Sequence, residues 1–490
     1  MTPVLRGVGI LLHVPALMAL LSLPVAWALG EPEGLLGFAV TAAASLAGGQ
    51  LLFWSARGDT NIQRHHAMLI AALAWLLVPL AGTLPFLLAA DSPGADPRTA
   101  AALAPLAGFA NALFESVSGF TATGLTMAPD PAGLPAYIQW WRSFTEWVGG
   151  LGVVVLLLAV LPPGRSALHL YFSEAREERI LPSVKSTVRT IWAIYLGYTV
   201  AGVGLLYWAG APPWVALNHG MTAIATGGFS VTNGSLAGSG TAERAVYLLL
   251  MVLGAVSFAA HYRVIRQGDL RGGLWGSAEA RLFLALLAVG AVVLGLEQWH
   301  LLGAPYWMDS AFQWVSALTT AGFATVDVGA WHPLMLLWLI LAMLVGAMAG
   351  STGGGLKMNR TALLLKNLAW NVRGFRRTPH EVVRHRLDSS RLSEEDAAVR
   401  VKAAGELTVA YLLLWLASVI LLLHMLPGDT GIERVFFETA SAQGNVGLSA
   451  GLASPSLPLA AKLVLMAQMW MGRLEIFPVM VLLAWAIGRE

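Results

Sequence analysis

Residues 114–126 read FESVSGFTATGLT and residues 437–449 read FETASAQGNVGLS, and the two align without a gap. Two more stretches fall into the same register, NHGMTAIATGGFS at 218–230 and FQWVSALTTAGFA at 312–324. Successive copies lie 104, 94 and 125 residues apart, and one position is glycine in all four: Gly124, Gly228, Gly322 and Gly447. A glycine common to four copies points to backbone that adopts positive φ or packs closely, because glycine does so without a Cβ clash. The residues beside it are small, hydroxylated or amide-bearing. What such segments offer a ligand is carbonyl oxygen, supplemented by threonine hydroxyls, which is the chemistry that replaces the water shell of a monovalent cation.

The composition says where these segments lie. The chain has 490 residues, of which 57% are hydrophobic and 12% charged, against roughly 25% charged in soluble proteins. Runs such as GILLHVPALMALLSLPVAWAL and LMLLWLILAMLVGAM approach the ~20 residues that cross a bilayer as a helix. The chain therefore reads as an all-α integral membrane protein. It has no cysteine, which excludes disulfides, thiolate ligands and thiol nucleophiles. No clear cleavage site follows the first apolar run, so it reads as a retained helix and not a signal peptide.

Ten crossings are expected, near 8–29, 36–55, 67–90, 140–162, 188–210, 243–264, 279–298, 333–356, 404–426 and 458–487. Lysine and arginine crowd the loops 57–66, 164–187, 263–277 and 357–402, the last with eleven, whereas the alternate loops hold only Arg98 and Arg434. The basic loops should face the cytoplasm, together with both termini. The opposite loops carry apolar stretches too short to cross, 105–120, 213–224, 309–318 and 432–443, which suit re-entrant half-helices. The predicted fold is thus four pseudo-repeated helix, pore-helix, filter and helix units around one central pore, plus two additional N-terminal transmembrane helices. Its expected divisions are 1–66 for the two leading helices, then 67–187, 188–277, 278–402 and 403–490 for the four repeats.

Glycines at 346, 350, 353, 354 and 355 crowd the stretch GAMAGSTGGGLK at 346–357, where each costs about 1 kcal/mol relative to alanine in a helix. The eighth span should break there. A phosphate-cradling reading of that stretch lacks the required spacing. Arg473 falls inside the last span, where a charge is costly and must face the pore or a partner; an ion pair with Glu475 is the alternative to a pore-lining role. Glu146 in the fourth span poses the same question, and Lys357 reads as an interfacial anchor. Glu115 and Glu438 occupy equivalent positions upstream of their filters, matched by His219 and Gln313, and read as anchors of the half-helix. His65, His66, His219 and His261 show no metal-ligand spacing.

The four filters, with GAMAGSTGGGLKMNR at 346–360 and MWMGRLEIFPVM at 469–480, make the chain resemble the TrkH/KtrB potassium-uptake family, also called the superfamily of potassium transporters. The length and the two leading helices favour the TrkH type. The resemblance implies potassium as the transported ion. It implies that carbonyls of Ala122, Thr123, Gly124, Thr226, Gly227, Gly228, Thr320, Ala321, Gly322, Asn445, Val446 and Gly447 bind it. It further implies a gate beneath the filter, formed by the intramembrane loop of Gly350, Ser351, Thr352, Gly353, Gly354 and Gly355 together with Arg473.

A TrkA-type ring of cytoplasmic NAD- or ATP-binding subunits, a homodimer and a bacterial inner-membrane location are also implied. The basic segment 357–402 would dock that ring, or else face lipid headgroups. No organic cofactor site is expected in this chain, which has no glycine-rich dinucleotide fingerprint, and no nucleic-acid role. A symporter coupling potassium to protons or sodium is the alternative transport reading. The membrane acids Glu115, Glu146, Glu438 and Glu475 with Arg473 form no enzymatic constellation.

Overall fold

The computed structural model describes residues 1–56, 62–91, 96–152, 181, 183–304, 306–375, 385–388 and 390–488. Among the described residues, six helices or nearly continuous helix pairs are long and apolar enough to cross a membrane: Thr2–Ala28, Glu33–Ser55, Arg64–Ala90, Val184–Trp208, Ala278–Leu302 and Glu394–Met425. The expected fourth crossing is described over Ala136–Leu151; its remainder and residues 376–384 of the basic segment lie outside the described residues. The expected eighth crossing is Pro333–Val345 followed by a non-helical loop, as its glycines predict.

Two crossings depart from the sequence reading. The sixth breaks into Thr241–Ala255 and Phe258–Gln267 with a bend of 102°, and the tenth into Leu459–Arg473 and Phe477–Ala486 with a bend of 117°. Neither break carries a proline or glycine at its centre, where Val256 and Ser257, or Glu475 and Ile476, stand instead. A second departure is small: residues His385–Leu387 and Ser390–Leu392 pair as antiparallel strands.

The four half-helices are present as Phe109–Phe120, Pro213–Ile224, Trp307–Leu318 and Ile432–Gly444. At 1.5 Å per residue each spans about 18 Å, a little over half the hydrocarbon thickness. Each packs on the second helix of the unit before it. Ala136–Leu151 meets the second half-helix, Thr241–Ala255 the third, Pro333–Val345 the fourth, and Leu459–Arg473 returns to the first. That last contact closes the ring. The two leading helices pack outside it, on each other and on the first helix of unit one, Arg64–Gly82.

Candidate functional site: a four-part filter above a glycine loop

Each half-helix ends in the same turn. The N–H groups of Thr123, Gly227, Ala321 and Val446 donate to the carbonyls of Ser118, Thr222, Ser316 and Ser441, at 2.9–3.0 Å. Those of Ala122, Thr226, Thr320 and Asn445 donate to Gly119, Ala223, Ala317 and Ala442, at 2.9–3.3 Å. This pairing is the Schellman arrangement, which places the residue after the helix in the left-handed region. Ala122, Thr226, Thr320 and Asn445 accordingly have φ of 51°, 52°, 57° and 51°. Asn445 tolerates that region, whereas Ala122, Thr226 and Thr320 each store roughly 1–2 kcal/mol of backbone strain there.

Two residues on stand the common glycines, with φ of 91°, 85°, 75° and 98° at Gly124, Gly228, Gly322 and Gly447. Their surroundings leave no room for a side chain. A Cβ on Gly124 would overlap the carbonyl oxygen of Gly227, one on Gly228 that of Ala321, one on Gly322 that of Val446, and one on Gly447 that of Thr123. Each filter glycine thus abuts the middle carbonyl of the next copy, in chain order, and the fourth abuts the first. The twelve residues expected to form the filter are brought together as one closed ring.

A second fourfold feature frames it. The Glu115 carboxylate accepts from the Thr126 hydroxyl at 2.8 Å and the Met127 N–H at 2.6 Å. The equivalent Glu438 accepts from the Ser449 hydroxyl at 2.7 Å and the Ala450 N–H at 3.0 Å. His219 accepts the Val231 N–H at 3.0 Å and lies 3.1 Å from the Ser230 hydroxyl. In copy three Ala324 has no hydroxyl, and Gln313 donates instead to Thr325 at 3.2 Å. All four side chains are fully buried. They tie the half-helix to the segment leaving the filter, an anchoring role for Glu115 and Glu438.

Copies one and two share a further support that the sequence reading missed. Arg142 pairs with Glu115 at 2.7 Å with both side chains buried, and donates to the Ser230 carbonyl at 2.8 Å. One turn later Glu146 accepts the Phe229 N–H at 3.0 Å. Opposite charges one turn apart in a single span, Arg142 and Glu146, were the available signal. At the filter's other flank, Asn233 donates to Asp130 at 2.7 Å. That bond, followed by one from Arg98, holds the Asp130 carboxyl below the ordinary carboxylate value.

The glycine loop lies against the opposite face of the filter. Gly354 donates its N–H to the Thr320 hydroxyl at 2.7 Å, and a Cβ there would overlap the Gly444 carbonyl and approach Asn445. The Thr352 hydroxyl meets the Thr226 hydroxyl at 3.1 Å and the Gly254 carbonyl at 2.8 Å. The break in the sixth crossing is where the loop docks. Carbonyls that the break frees at Ala255 and Gly254 accept from Met348 and Thr352, and Phe258 donates to Gly350. His261 donates to the freed Leu253 carbonyl at 2.8 Å. The loop's backbone thus satisfies groups that a broken helix would otherwise leave unpaired.

Arg473 reaches the same loop. It donates to the Thr352 carbonyl at 3.0 Å and to the Gly149 and Gly150 carbonyls at the end of Ala136–Leu151, at 2.5 and 2.7 Å. Glu475 stands in the break beyond the helix that ends at Arg473, with φ of 51°, and pairs with Arg360 and not with Arg473. Lys357 is a correction to the sequence reading: it is buried, and its ammonium donates to the Gly353 carbonyl inside the loop. A cavity lined by Arg473, Lys357, Glu475, Gly350, Ser351 and Trp75 opens beside the loop.

Four re-entrant units closed into a ring, with a loop across one end, define a polytopic helical membrane transport protein. The family model TrkH, cation transport protein, matches residues 37–487, and the chain belongs to that family. It is 34% identical over 425 residues to an uncharacterised cation transporter of Methanocaldococcus jannaschii, covering 86% of this chain and 83% of that one. It is 30% identical over 471 residues to the Trk system potassium uptake protein TrkH of Salmonella typhimurium, covering 92% of each. The crystal structure of the potassium transporter TrkH from Vibrio parahaemolyticus superposes with a TM-score of 0.83 at 27% identity, covering 98% of each chain.

Proposed function

We propose that the chain is a potassium-uptake transporter of a bacterial cytoplasmic membrane, with both termini cytoplasmic. Potassium enters at the filter, sheds its water against carbonyls of residues 122–124, 226–228, 320–322 and 445–447, and passes inward once the loop withdraws. The observation that carries this reading is the cyclic contact of each filter glycine with the next copy's carbonyl. That contact supports a ring of four equivalent carbonyls about one axis, an arrangement that can replace a monovalent cation's hydration shell. The naming of the relatives as potassium transporters, not enzymes, supports the choice of ion.

Loop 350–355 acts as the gate, with Arg473 holding it through the Thr352 carbonyl and placing a positive charge beneath the filter. The gate is released by a TrkA-type cytoplasmic ring of NAD- or ATP-binding subunits docked on the basic segment 357–402, and the chain works as a homodimer with a pore in each copy. The repeats divide the chain near 67, 188, 278 and 403. The test is potassium and sodium flux into liposomes holding the purified chain, with and without such a ring. Potassium flux that rises with the ring and does not depend on a proton or sodium gradient supports the reading; flux locked to either gradient makes the chain a symporter.

A further inference from the structure

Copies two and three of the filter differ from copies one and four in one respect. At the left-handed position that opens each filter, copies two and three carry Thr226 and Thr320, and both hydroxyls are hydrogen-bonded to the glycine loop. The counterpart in copy one, Ala122, has no hydroxyl. The counterpart in copy four, Asn445, turns its amide N–H groups sideways, to the Thr123 hydroxyl at 3.0 Å and the Met469 carbonyl at 2.8 Å. At this position copies two and three are therefore tied to the loop by side-chain hydrogen bonds, copy four is tied to the filter's own frame, and copy one carries no side-chain tie.

The tie on Thr226 runs through a hub. Thr226 bonds the Thr352 hydroxyl, which bonds the Gly254 carbonyl, while the Thr352 N–H donates to that same carbonyl and the Thr352 carbonyl accepts from Arg473. The tie on Thr320 is direct, from the Gly354 N–H at 2.7 Å. Thr226, Thr320 and Thr352 are all fully buried, so no bulk water stands ready to replace either bond. A strained left-handed residue persists only where its surroundings over-determine it. Here part of that determination comes from the gate itself.

We infer that Thr226 and Thr320 couple the gate loop to the filter, so that withdrawal of the loop loosens copies two and three and lowers discrimination between potassium and sodium. They are positioning residues that make selectivity depend on the state of the gate. The inference rests on the proposed cation-uptake reading. The carbonyl geometry of a filter sets its selectivity, and one hydrogen bond is worth roughly 0.5–1.5 kcal/mol net, enough for a roughly 2- to 10-fold change in a permeability ratio.

The test is the potassium-to-sodium flux ratio, and the flux in the absence of any cytoplasmic partner, for the full-length chain in liposomes. Thr320→Val and Thr226→Val keep the branched shape and remove the hydroxyl; each is expected to lower the ratio roughly 2- to 10-fold and to raise partner-free flux. Thr320→Ser and Thr226→Ser should restore both. Thr352→Val removes the loop end of the Thr226 bond without touching the filter, and should reproduce Thr226→Val; the double variant Thr226→Val/Thr352→Val should lose less than the sum of the two.

Valine variants with the wild-type ratio and wild-type partner-free flux would overturn the coupling, as would serine variants that shift both readouts as far as valine, or additive losses in the double variant. Failure of the underlying reading is separately visible. A wild-type chain that carries no potassium, with or without a partner, overturns the uptake function itself.

Discussion

The carbonyl oxygen of Ala321 stands 2.5 Å from the place a Cβ on Gly228 would occupy, and φ at Gly228 is 85°. The same relation recurs between the other three filter glycines and the next copy in the ring. Each glycine is therefore held by its neighbour as well as by its own turn, and the four filters form one object.

The clamp behind the filter should matter for geometry before it matters for stability. Glu438 accepts two N–H groups and a hydroxyl, from Ala450, Ala453 and Ser449. Glu438→Gln swaps an accepting oxygen for a donor facing those N–H groups. We expect a chain that inserts and folds, with potassium over sodium selectivity reduced severalfold, measured as a flux ratio. An unchanged ratio would mean that the segment leaving copy four is held by other contacts.

The Arg142–Glu115 pair should be the more damaging site. Both side chains are buried, and removing one partner of a buried pair typically costs about 3–5 kcal/mol, because the other charge is left uncompensated. Arg142→Ala should lower the melting temperature of the detergent-solubilised chain sharply, and Arg142→Ala/Glu115→Gln should recover part of that loss. Thermal unfolding of the two variants side by side checks this.

Arg473→Ala removes the donor to the Thr352, Gly149 and Gly150 carbonyls. The loop then loses its link to the helix Ala136–Leu151, and partner-free cation flux should rise severalfold. Arg473→Lys, with one compact ammonium in place of a planar fork, cannot reach all three carbonyls in the same way, and intermediate flux is expected.

Gly354→Ala probes the contact between loop and filter. The added Cβ would overlap the Gly444 carbonyl and approach the Asn445 Cβ, so the loop must move away from the filter. Partner-free flux should rise, and the hydrogen bond to Thr320 should weaken with it. A loop that does not obstruct the path would give wild-type flux in this variant.

What was legible in the sequence, and what was not, follows from how each feature is encoded. The filter glycines could be read because a backbone demand repeated four times leaves the same letter at Gly124, Gly228, Gly322 and Gly447. The half-helix at 213–224 falls on the residues its apolar run marks. The loop at 346–357 was legible from its density of glycine. The breaks at 256–257 and 474–476 were less legible: Ser257, which caps the next helix, and Pro478, in the first turn of the helix after the second break, are helix-start signals set inside long apolar runs that read as continuous.

At the first of those breaks tertiary contacts hold the chain open: the loop's N–H groups occupy the carbonyls freed at Gly254 and Ala255. Lys357 misled for a related reason. A lysine after an apolar run reads as an anchor at the membrane surface, but Gly355 at positive φ and the turn of Lys357 itself, φ 78°, fold it back into the loop. Arg142 beside Glu146 is a signal of the same kind: Arg142 pairs with Glu115 of copy one and donates to Ser230 of copy two, and Glu146 accepts from Phe229 of copy two.

The measurement that bears most directly on the ring of carbonyls is the potassium-to-sodium flux ratio of Gly228→Ser and Gly447→Ser, each reconstituted as the full chain. A Cβ at either position meets the neighbouring copy's carbonyl, and the left-handed turn adds roughly 1–2 kcal/mol of strain to any residue but glycine. Both variants should remain folded by size-exclusion and thermal unfolding, and both should lose discrimination, by a similar factor, because the two positions are equivalent corners of one ring. Folded variants that keep the wild-type ratio, or a loss confined to one of the two, would contradict a single filter built from four repeats.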